Sequence, residues 1–172
     1  MRYASMRSLD ISNGEGVGIS LFTQGCRFRC YNCFNPMTWD VNSGNEWNEE
    51  AENKLLKLLN RDFIKRITFL GGEPLLDKNL SEIKELISKI SVEYNNKTIW
   101  IYSGYTWEEI FNSNSSEMKI RQEILKYCDV LVDGRYIDEL RDVNLKWRGS
   151  SNQRVIDVQQ SLKEGKVILY TD

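Results

Sequence analysis

Apolar residues follow two spacings along the chain, one typical of buried strands and the other of amphipathic helices. Short runs rich in β-branched and aromatic residues predict strands at 17–22, 67–70, 98–102 and 129–132. Apolar residues that recur every three or four positions predict helices near 47–59, 80–90 and 120–125. An Asn13-Gly14 turn predicts that residues 3–11 pair with the first of these strands as a hairpin.

The alternation of strand and helix indicates an α/β protein with four parallel strands. Two architectures fit this order, an open doubly wound sheet and part of a (β/α) barrel. A closed eight-stranded barrel typically needs about 250 residues, so the 172 residues of this chain allow only a partial one. In both architectures, ligands meet the loops at the carboxyl ends of the strands.

Two features complete the predicted fold. Residues 155–158 and 166–170 are further strand candidates on either side of a turn at Gly165. Thr106 and Glu109 match a capping box at the start of a short helix. Because no repeat, linker or low-complexity run divides the chain, we expect residues 1–172 to form a single domain.

Composition and charge exclude several classes of function. The chain has 23 Lys and Arg against 25 Asp and Glu, a net charge of −2, so there is no reason to expect a basic surface for nucleic acid or membrane binding. No apolar run approaches the roughly 20 residues that span a bilayer. The start, MRYASMRSLD, lacks the apolar segment of a secretory signal, so we expect a cytoplasmic protein.

Histidine is absent from the sequence. Its absence excludes Ser-His-Asp and Cys-His catalytic sites and His-ligated zinc or haem. It also removes the side chain best suited to proton transfer near neutral pH. Any chemistry must therefore use another group or a cofactor.

Three of the four cysteines, Cys26, Cys30 and Cys33, lie within eight residues, in the loop that follows the first predicted parallel strand. Three thiolates in such a loop can hold an iron–sulfur cubane and leave one iron open to an outside molecule. The alternative is a four-cysteine zinc site that includes Cys128. Cys128 begins an apolar strand 95 positions after Cys33, where core packing is the simpler role.

The segment CRFRCYNC fits the CxxxCxxC signature of the radical SAM superfamily. With the surrounding TQGC and CFNP, it resembles the anaerobic ribonucleoside-triphosphate reductase activating proteins. Further similar blocks are GGEPL at 71–75, YSGYTWEE at 102–109, DVLVDGR at 129–135 and RGSSNQR at 148–154. Many radical SAM proteins have an aromatic residue directly before the third cysteine, whereas this chain has Asn32 there.

The resemblance implies a partial (β/α) barrel of the radical SAM type, open on one side. It implies an enzyme that uses a 4Fe-4S cluster and S-adenosylmethionine (SAM) to generate a 5′-deoxyadenosyl radical. That radical would install a glycyl radical on the large subunit of anaerobic ribonucleoside-triphosphate reductase. The implied partners are this reductase and a one-electron donor such as reduced flavodoxin or ferredoxin. Two alternatives stay open: a radical SAM enzyme that acts on another glycyl radical enzyme or a small molecule, and a non-catalytic metal-binding module.

The same resemblance assigns the candidate site. The cluster ligands are Cys26, Cys30 and Cys33. The residues expected to contact SAM are Asn32, Cys33, Phe34, Gly71, Gly72, Glu73, Pro74, Ser103 and Asp133. GGEP also fits this task physically, because two glycines permit close approach of a ligand to the backbone. Its proline holds the glutamate extended, where a carboxylate or nearby carbonyl groups can receive an ammonium group.

Simpler alternatives exist for parts of this site. A β-turn accounts for Gly71 and Gly72, helix entry for Ser103, and an Asp-Gly turn for Asp133. For 148–154 the sequence predicts only a polar, turn-rich surface.

Overall fold

A mixed β-sheet runs through residues 1–171, the part of the chain that this computed structural model describes. Its strands are β1 (Arg2–Asp10), β2 (Gly18–Thr23), β3 (Asn45–Glu46), β4 (Arg66–Gly71), β5 (Thr98–Tyr102), β6 (Val130–Asp133), β7 (Arg154–Asp157) and β8 (Leu169–Thr171). The α-helices are α1 (Glu49–Leu59), α2 (Leu80–Glu93), α3 (Trp107–Phe111), α4 (Ser116–Leu125) and α5 (Val158–Glu164). The strand order is β3-β1-β2-β4-β5-β6-β7-β8.

The centre of the sheet consists of four neighbouring parallel strands, β2, β4, β5 and β6, as the alternation of strands and helices predicts. In their register Ile19 lies beside Ile67, and Ile67 beside Ile99, so apolar side chains form a continuous layer. β1 pairs antiparallel with β2, which confirms the predicted hairpin. Because the four central strands run in one direction, the loops after them meet at one edge of the sheet.

The helices all pack on the same face of this sheet. Each contributes buried residues to one apolar cluster, among them Leu55, Ile87, Ile110, Leu125 and Val158. A doubly wound sheet carries helices on both faces, whereas the second face of this sheet borders an open cleft. Within the described residues the sheet is open, with β3 and β8 at its edges. The chain is therefore an α/β protein with helices on one side and a cleft on the other.

The end of the chain differs from the prediction of two strands around a turn. A helix, α5, lies between β7 and β8. Asp157 begins it by accepting a hydrogen bond from Gln160 N at 2.9 Å, and Gly165 ends it in a left-handed conformation, φ 66°. Both predicted strands are present as β7 and β8, which pair antiparallel. Only the predicted turn was wrong, because Gly165 ends a short helix instead of joining the two strands directly.

Two smaller expectations can be compared with the structure. The predicted capping box is present, with Thr106 and Glu109 each bonded to the other's backbone at the start of α3. No helix within residues 1–171 combines the length and the hydropathy needed to cross a bilayer.

Candidate active site

The three clustered cysteines lie at the carboxyl edge of the parallel strands and border one cleft. Cys26, Cys30 and Cys33 are half-buried, and none is in a disulfide. The cleft has a volume of about 460 Å³ and extends over the helix-free face of the sheet, where Phe22 and Tyr102 line it. The thiols are therefore brought together where an α/β sheet binds its ligands.

Backbone hydrogen bonds close the cysteine loop, residues 24–40, on itself. Gly25 N donates to Thr38 O at 2.7 Å, and Cys26 N donates to Trp39 O at 3.1 Å. The buried side chain of Gln24 donates to two further carbonyl groups of the loop. These contacts join the two ends of the loop, so its shape is set by protein groups and not by a metal alone.

The thiols of Cys26 and Cys30 are neutral in the metal-free protein. Burial raises the pKa of the Cys26 thiol, and the nearby Glu73 carboxyl group adds to this effect. Burial also raises the pKa of Cys30, with a contribution from neighbouring Cys33. Since metal centres bind thiolates, loading this site releases protons.

Cys128 lies at the opposite end of the sheet from these thiols. It precedes β6 and is fully buried in the apolar core, which confirms its predicted packing role. The cysteine loop instead follows β2, which runs in the same direction as β6, so the length of the strands separates the two. A four-cysteine zinc site is therefore excluded.

The donor set is compatible with a cluster. In residues 1–171, no three Cys, Asp or Glu side chains are placed to share a single ion. Cysteines that hold a cubane bind different irons, so their sulfurs stand farther apart than around one ion. Three thiols around one cleft suit a cluster.

The two glycines of the GGEP segment pack against the cysteine loop and the neighbouring strand. A Cβ atom at Gly72 would lie 2.5 Å from the carbonyl oxygen of Gly25, and one at Gly71 would lie 2.8 Å from the Cα of Phe22. Gly71 also has a φ of 104°, which favours glycine. Both residues border the cleft. The atoms nearest an added Cβ belong to the protein, so the packing of the loops requires both glycines, and their contact with SAM stays a prediction.

Glu73 joins the loops that follow β4 and β5. Only 1% of it is exposed, and its carboxylate accepts hydrogen bonds from Leu75 N at 2.9 Å, Ser103 Oγ at 2.9 Å and Gly104 N at 2.8 Å. Burial raises the pKa of this carboxyl group, although the hydrogen bonds act in the opposite direction. A carboxylate has about four acceptor positions, so one is left, and both Glu73 and Ser103 border the cleft.

The two predicted SAM contacts on either side of Cys33 differ in position. Phe34 borders the cleft and packs against Tyr136, with 5.1 Å between ring centroids. Asn32 does not border it. Asn32 is exposed, left-handed with φ 54°, and donates to Asp138 at 2.9 Å. Of the two residues that flank Cys33, the aromatic one that follows it borders the cleft, and the one that precedes it does not.

Pro74 and Asp133 are buried beside the cleft and do not line it. The Asp133 carboxylate accepts from Trp107 N at 2.8 Å and from Arg154 Nε at 3.1 Å. It ties β6 to β7 and to the start of α3, and with Arg154 it borders a neighbouring groove. A contact between Asp133 and SAM or a partner stays a prediction.

Residues 148–154, for which the sequence predicted only a polar surface, form one wall of the cleft. Arg148, Gly149 and Gln153 border it. Gln153 holds the wall in place, because its Oε1 accepts from Gly149 N at 3.0 Å and its Nε2 donates to Gly134 O at 2.9 Å. The one sequence signal for this wall is the RGSSNQR block, whose residues become informative only when the fold brings them beside the cysteines.

Two side chains of the cleft wall carry a buried N–H group without a hydrogen-bond partner within residues 1–171. These groups are Trp39 Nε1 and Arg148 Nε. Buried polar groups nearly always have a partner, and leaving one without costs about 1–3 kcal/mol. Both groups are donors only. Because both residues border the cleft, a ligand there that carries acceptor atoms is a candidate partner for these two donors.

Comparison with known proteins identifies the family of this chain. A family model described as a 4Fe-4S single cluster domain matches residues 12–156, a span that includes Cys26, Cys30 and Cys33. A Vibrio cholerae protein named anaerobic ribonucleoside-triphosphate reductase-activating protein is 38% identical over 155 residues, which cover 89% of this chain and 96% of that protein. The chain belongs to this family.

Other members of the family show the same extent of similarity. The Escherichia coli (strain K12) protein of the same name is 38% identical over 157 residues, 90% of this chain and 97% of its own length. The Enterobacteria phage T4 protein is 35% identical over 155 residues, 90% of this chain and 93% of its own length. The chain carries the family's 4Fe-4S domain, and residues 12–156, which that domain model matches, include the loops that line the cleft.

Proposed function

We propose that this protein activates an anaerobic ribonucleoside-triphosphate reductase, using a 4Fe-4S cluster and SAM. The observation that carries the proposal is the position of Cys26, Cys30 and Cys33 around the same cleft as the GGEP loop. The relatives named as activating proteins of that reductase support it. When bound, the cluster and SAM supply a 5′-deoxyadenosyl radical by one-electron cleavage of the sulfonium bond. A chain without histidine suits this chemistry, because hydrogen-atom abstraction needs no protein acid or base.

In this proposal Cys26, Cys30 and Cys33 would hold the cluster as thiolates, and the cluster would keep a position open for the amino and carboxylate groups of SAM. Two groups of the cleft suit the same end of SAM. Glu73 retains one acceptor position for an ammonium group. Arg148 has an unpaired Nε donor for a carboxylate, and a charge-assisted hydrogen bond of this kind is among the stronger ones.

The helix-free face of the sheet supports a partial barrel that is open on one side. The cleft extends from the cysteines over the side chains of Phe22, Leu70 and Val132 to Ser12 and Asn13 at the other end of the sheet. Its apolar floor excludes water from a reactive radical. Because the chain is too short to close a barrel, a partner protein must cover the open side.

A glycine in a loop of the reductase is the target that this proposal assigns. Its α-carbon carries no side chain, so it can approach the deoxyadenosyl carbon directly. The product radical is shared with the neighbouring amide groups. A one-electron donor such as reduced flavodoxin or ferredoxin, in the reducing cytoplasm, completes the proposal.

The test mixes reduced, cluster-loaded protein with SAM and reductase under anaerobic conditions and measures the reductase radical by electron paramagnetic resonance (EPR). Wild-type protein and Cys128→Ser should both give the radical, because Cys128 lies in the core. Cys30→Ala should give none. If deuterium is placed in the reductase glycine, it should appear in 5′-deoxyadenosine. A radical formed with Cys30→Ala, or none with fully loaded wild-type protein, would contradict the proposal.

A further inference from the structure

Trp39 combines an unpaired buried donor with a direct backbone link to a cysteine of the site. Its indole N–H has no hydrogen-bond partner within residues 1–171, and the residue borders the cleft together with the three cysteines. Its carbonyl oxygen accepts from Cys26 N at 3.1 Å, and its own backbone N–H donates to Pro36 O at 3.2 Å. The position of Trp39 is therefore fixed relative to Cys26.

The chemistry of the loaded site determines which acceptor suits this donor. An indole N–H can only donate. A bound cluster adds sulfur acceptors to the cleft, three thiolates and the inorganic sulfides. The cysteine loop already directs one N–H group at such a sulfur, because Asn35 N donates to Cys33 Sγ at 3.4 Å.

We propose that the indole N–H of Trp39 donates a hydrogen bond to a sulfur of the 4Fe-4S cluster and thereby raises its reduction potential. A donor dipole beside the sulfur stabilises the more negative, reduced cluster more than the oxidised one. Trp39 thus makes the cluster easier to reduce. The inference rests on the cluster-binding part of the proposed function and not on SAM or the reductase.

The test is a redox titration of the cluster-loaded protein, with the EPR signal of the reduced cluster as the readout. Trp39→Phe removes the N–H group and keeps an aromatic ring in the wall. Its potential should fall by about 59 mV, which corresponds to a tenfold change in the one-electron equilibrium constant. Trp47→Phe is the matched control, since Trp47 packs against Tyr3 and does not border the cleft. Its potential should equal that of the wild type.

A second measurement avoids dependence on the folding of Trp39→Phe. In protein labelled with ¹⁵N at the indole nitrogens, pulsed EPR of the reduced cluster should detect a ¹⁵N coupling. Trp39 and Trp147 are the tryptophans that border the cleft, so the coupling must persist in Trp147→Phe. If labelled protein shows no ¹⁵N coupling, the inference is overturned.

The remaining outcomes are equally decisive. An unchanged reduction potential in cluster-loaded Trp39→Phe overturns the inference. A fall in its SAM affinity without a shift in potential also overturns it, because the Trp39 N–H group would then donate to SAM. Wild-type protein that takes up no iron and sulfide contradicts the proposed function itself. Normal uptake with an unshifted potential contradicts only the role of Trp39.

Discussion

Replacing Gly72 with alanine tests how the GGEP segment acts on the cluster site. An alanine Cβ would lie 2.5 Å from Gly25 O and 3.0 Å from Thr38 O. Restoring an ordinary contact of 3.4 Å moves the Gly25 oxygen by about 0.9 Å. That oxygen accepts a hydrogen bond from Glu73 N at 2.7 Å, and Gly25 directly precedes Cys26. The displacement therefore reaches Cys26, the first of the proposed cluster ligands.

The expected result is a loss of stability together with a loss of cluster. Overpacking of this kind costs about 1–3 kcal/mol, and the displaced loop should bind less iron and sulfide. The matched control is Gly165→Ala. A Cβ atom at Gly165 would meet no neighbouring atoms, but the residue has a φ of 66°, which disfavours alanine. Its cost is conformational, about 1–2 kcal/mol, and arises far from the cleft. Gly165→Ala should therefore lose similar stability while keeping its cluster.

The assay combines urea unfolding with iron and sulfide analysis after anaerobic reconstitution. Full iron content in Gly72→Ala, with stability like that of the wild type, would refute the contact argument. A variant that kept its cluster and lost only SAM affinity would show that the glycine serves the ligand directly, as the sequence alone suggests.

Two further predictions concern charged residues. Arg148→Gln should weaken SAM binding about tenfold or more in anaerobic calorimetry, because the variant loses a charge-assisted hydrogen bond. The control Lys119→Gln, at an exposed residue, should bind SAM like the wild type. Equal SAM affinities of Arg148→Gln and the wild type would remove Arg148 from the site. Asp10→Asn should cost about 3–5 kcal/mol in urea unfolding of cluster-free protein, because Arg66 is fully buried beside it. Burial raises the pKa of Asp10, but hydrogen bonds outweigh this and lower it from 3.8 to about 2. The ionised form of Asp10 therefore stabilises the fold above about pH 4. The difference in unfolding free energy between the wild type and Asp10→Asn should shrink as the pH falls toward 2. A difference that stays constant with pH would contradict this reasoning.

The central strands and their direction could be predicted because local sequence determines them. Ile67 and Ile99 lie in short β-branched runs separated by helical spacing, and chain order then makes the strands parallel. The helix α5 was not predicted, because its start depends on the Asp157 cap and its end on Gly165, and both residues also suit a turn.

The spacing of the cysteines predicts that they lie together, but most of the cleft could not be predicted from the sequence. Cys26 and Cys33 are close in sequence, so one loop brings them together. Arg148 lies more than a hundred positions later and reaches the cleft only because the loops beside β6 and β7 return to the same edge. Its unpaired donor is a property of packing, and no sequence pattern indicates it.

The buried carboxylates at this edge have a structural role that the sequence did not predict, beside the ligand contacts that stay predictions. Glu73 and Asp133 suggest ligand contacts, yet each is already bonded to neighbouring loops, Glu73 to Ser103 and Gly104 and Asp133 to Arg154. When a cofactor supplies the reaction, acidic groups need not act as acid or base, and their hydrogen bonds can instead fix the loops that shape the cleft. The cost of burying a carboxylate is then offset by several donors at once. It follows that we expect a ligand in this cleft to gain contacts from the unused donors of Trp39 and Arg148 and from the one acceptor position that Glu73 keeps.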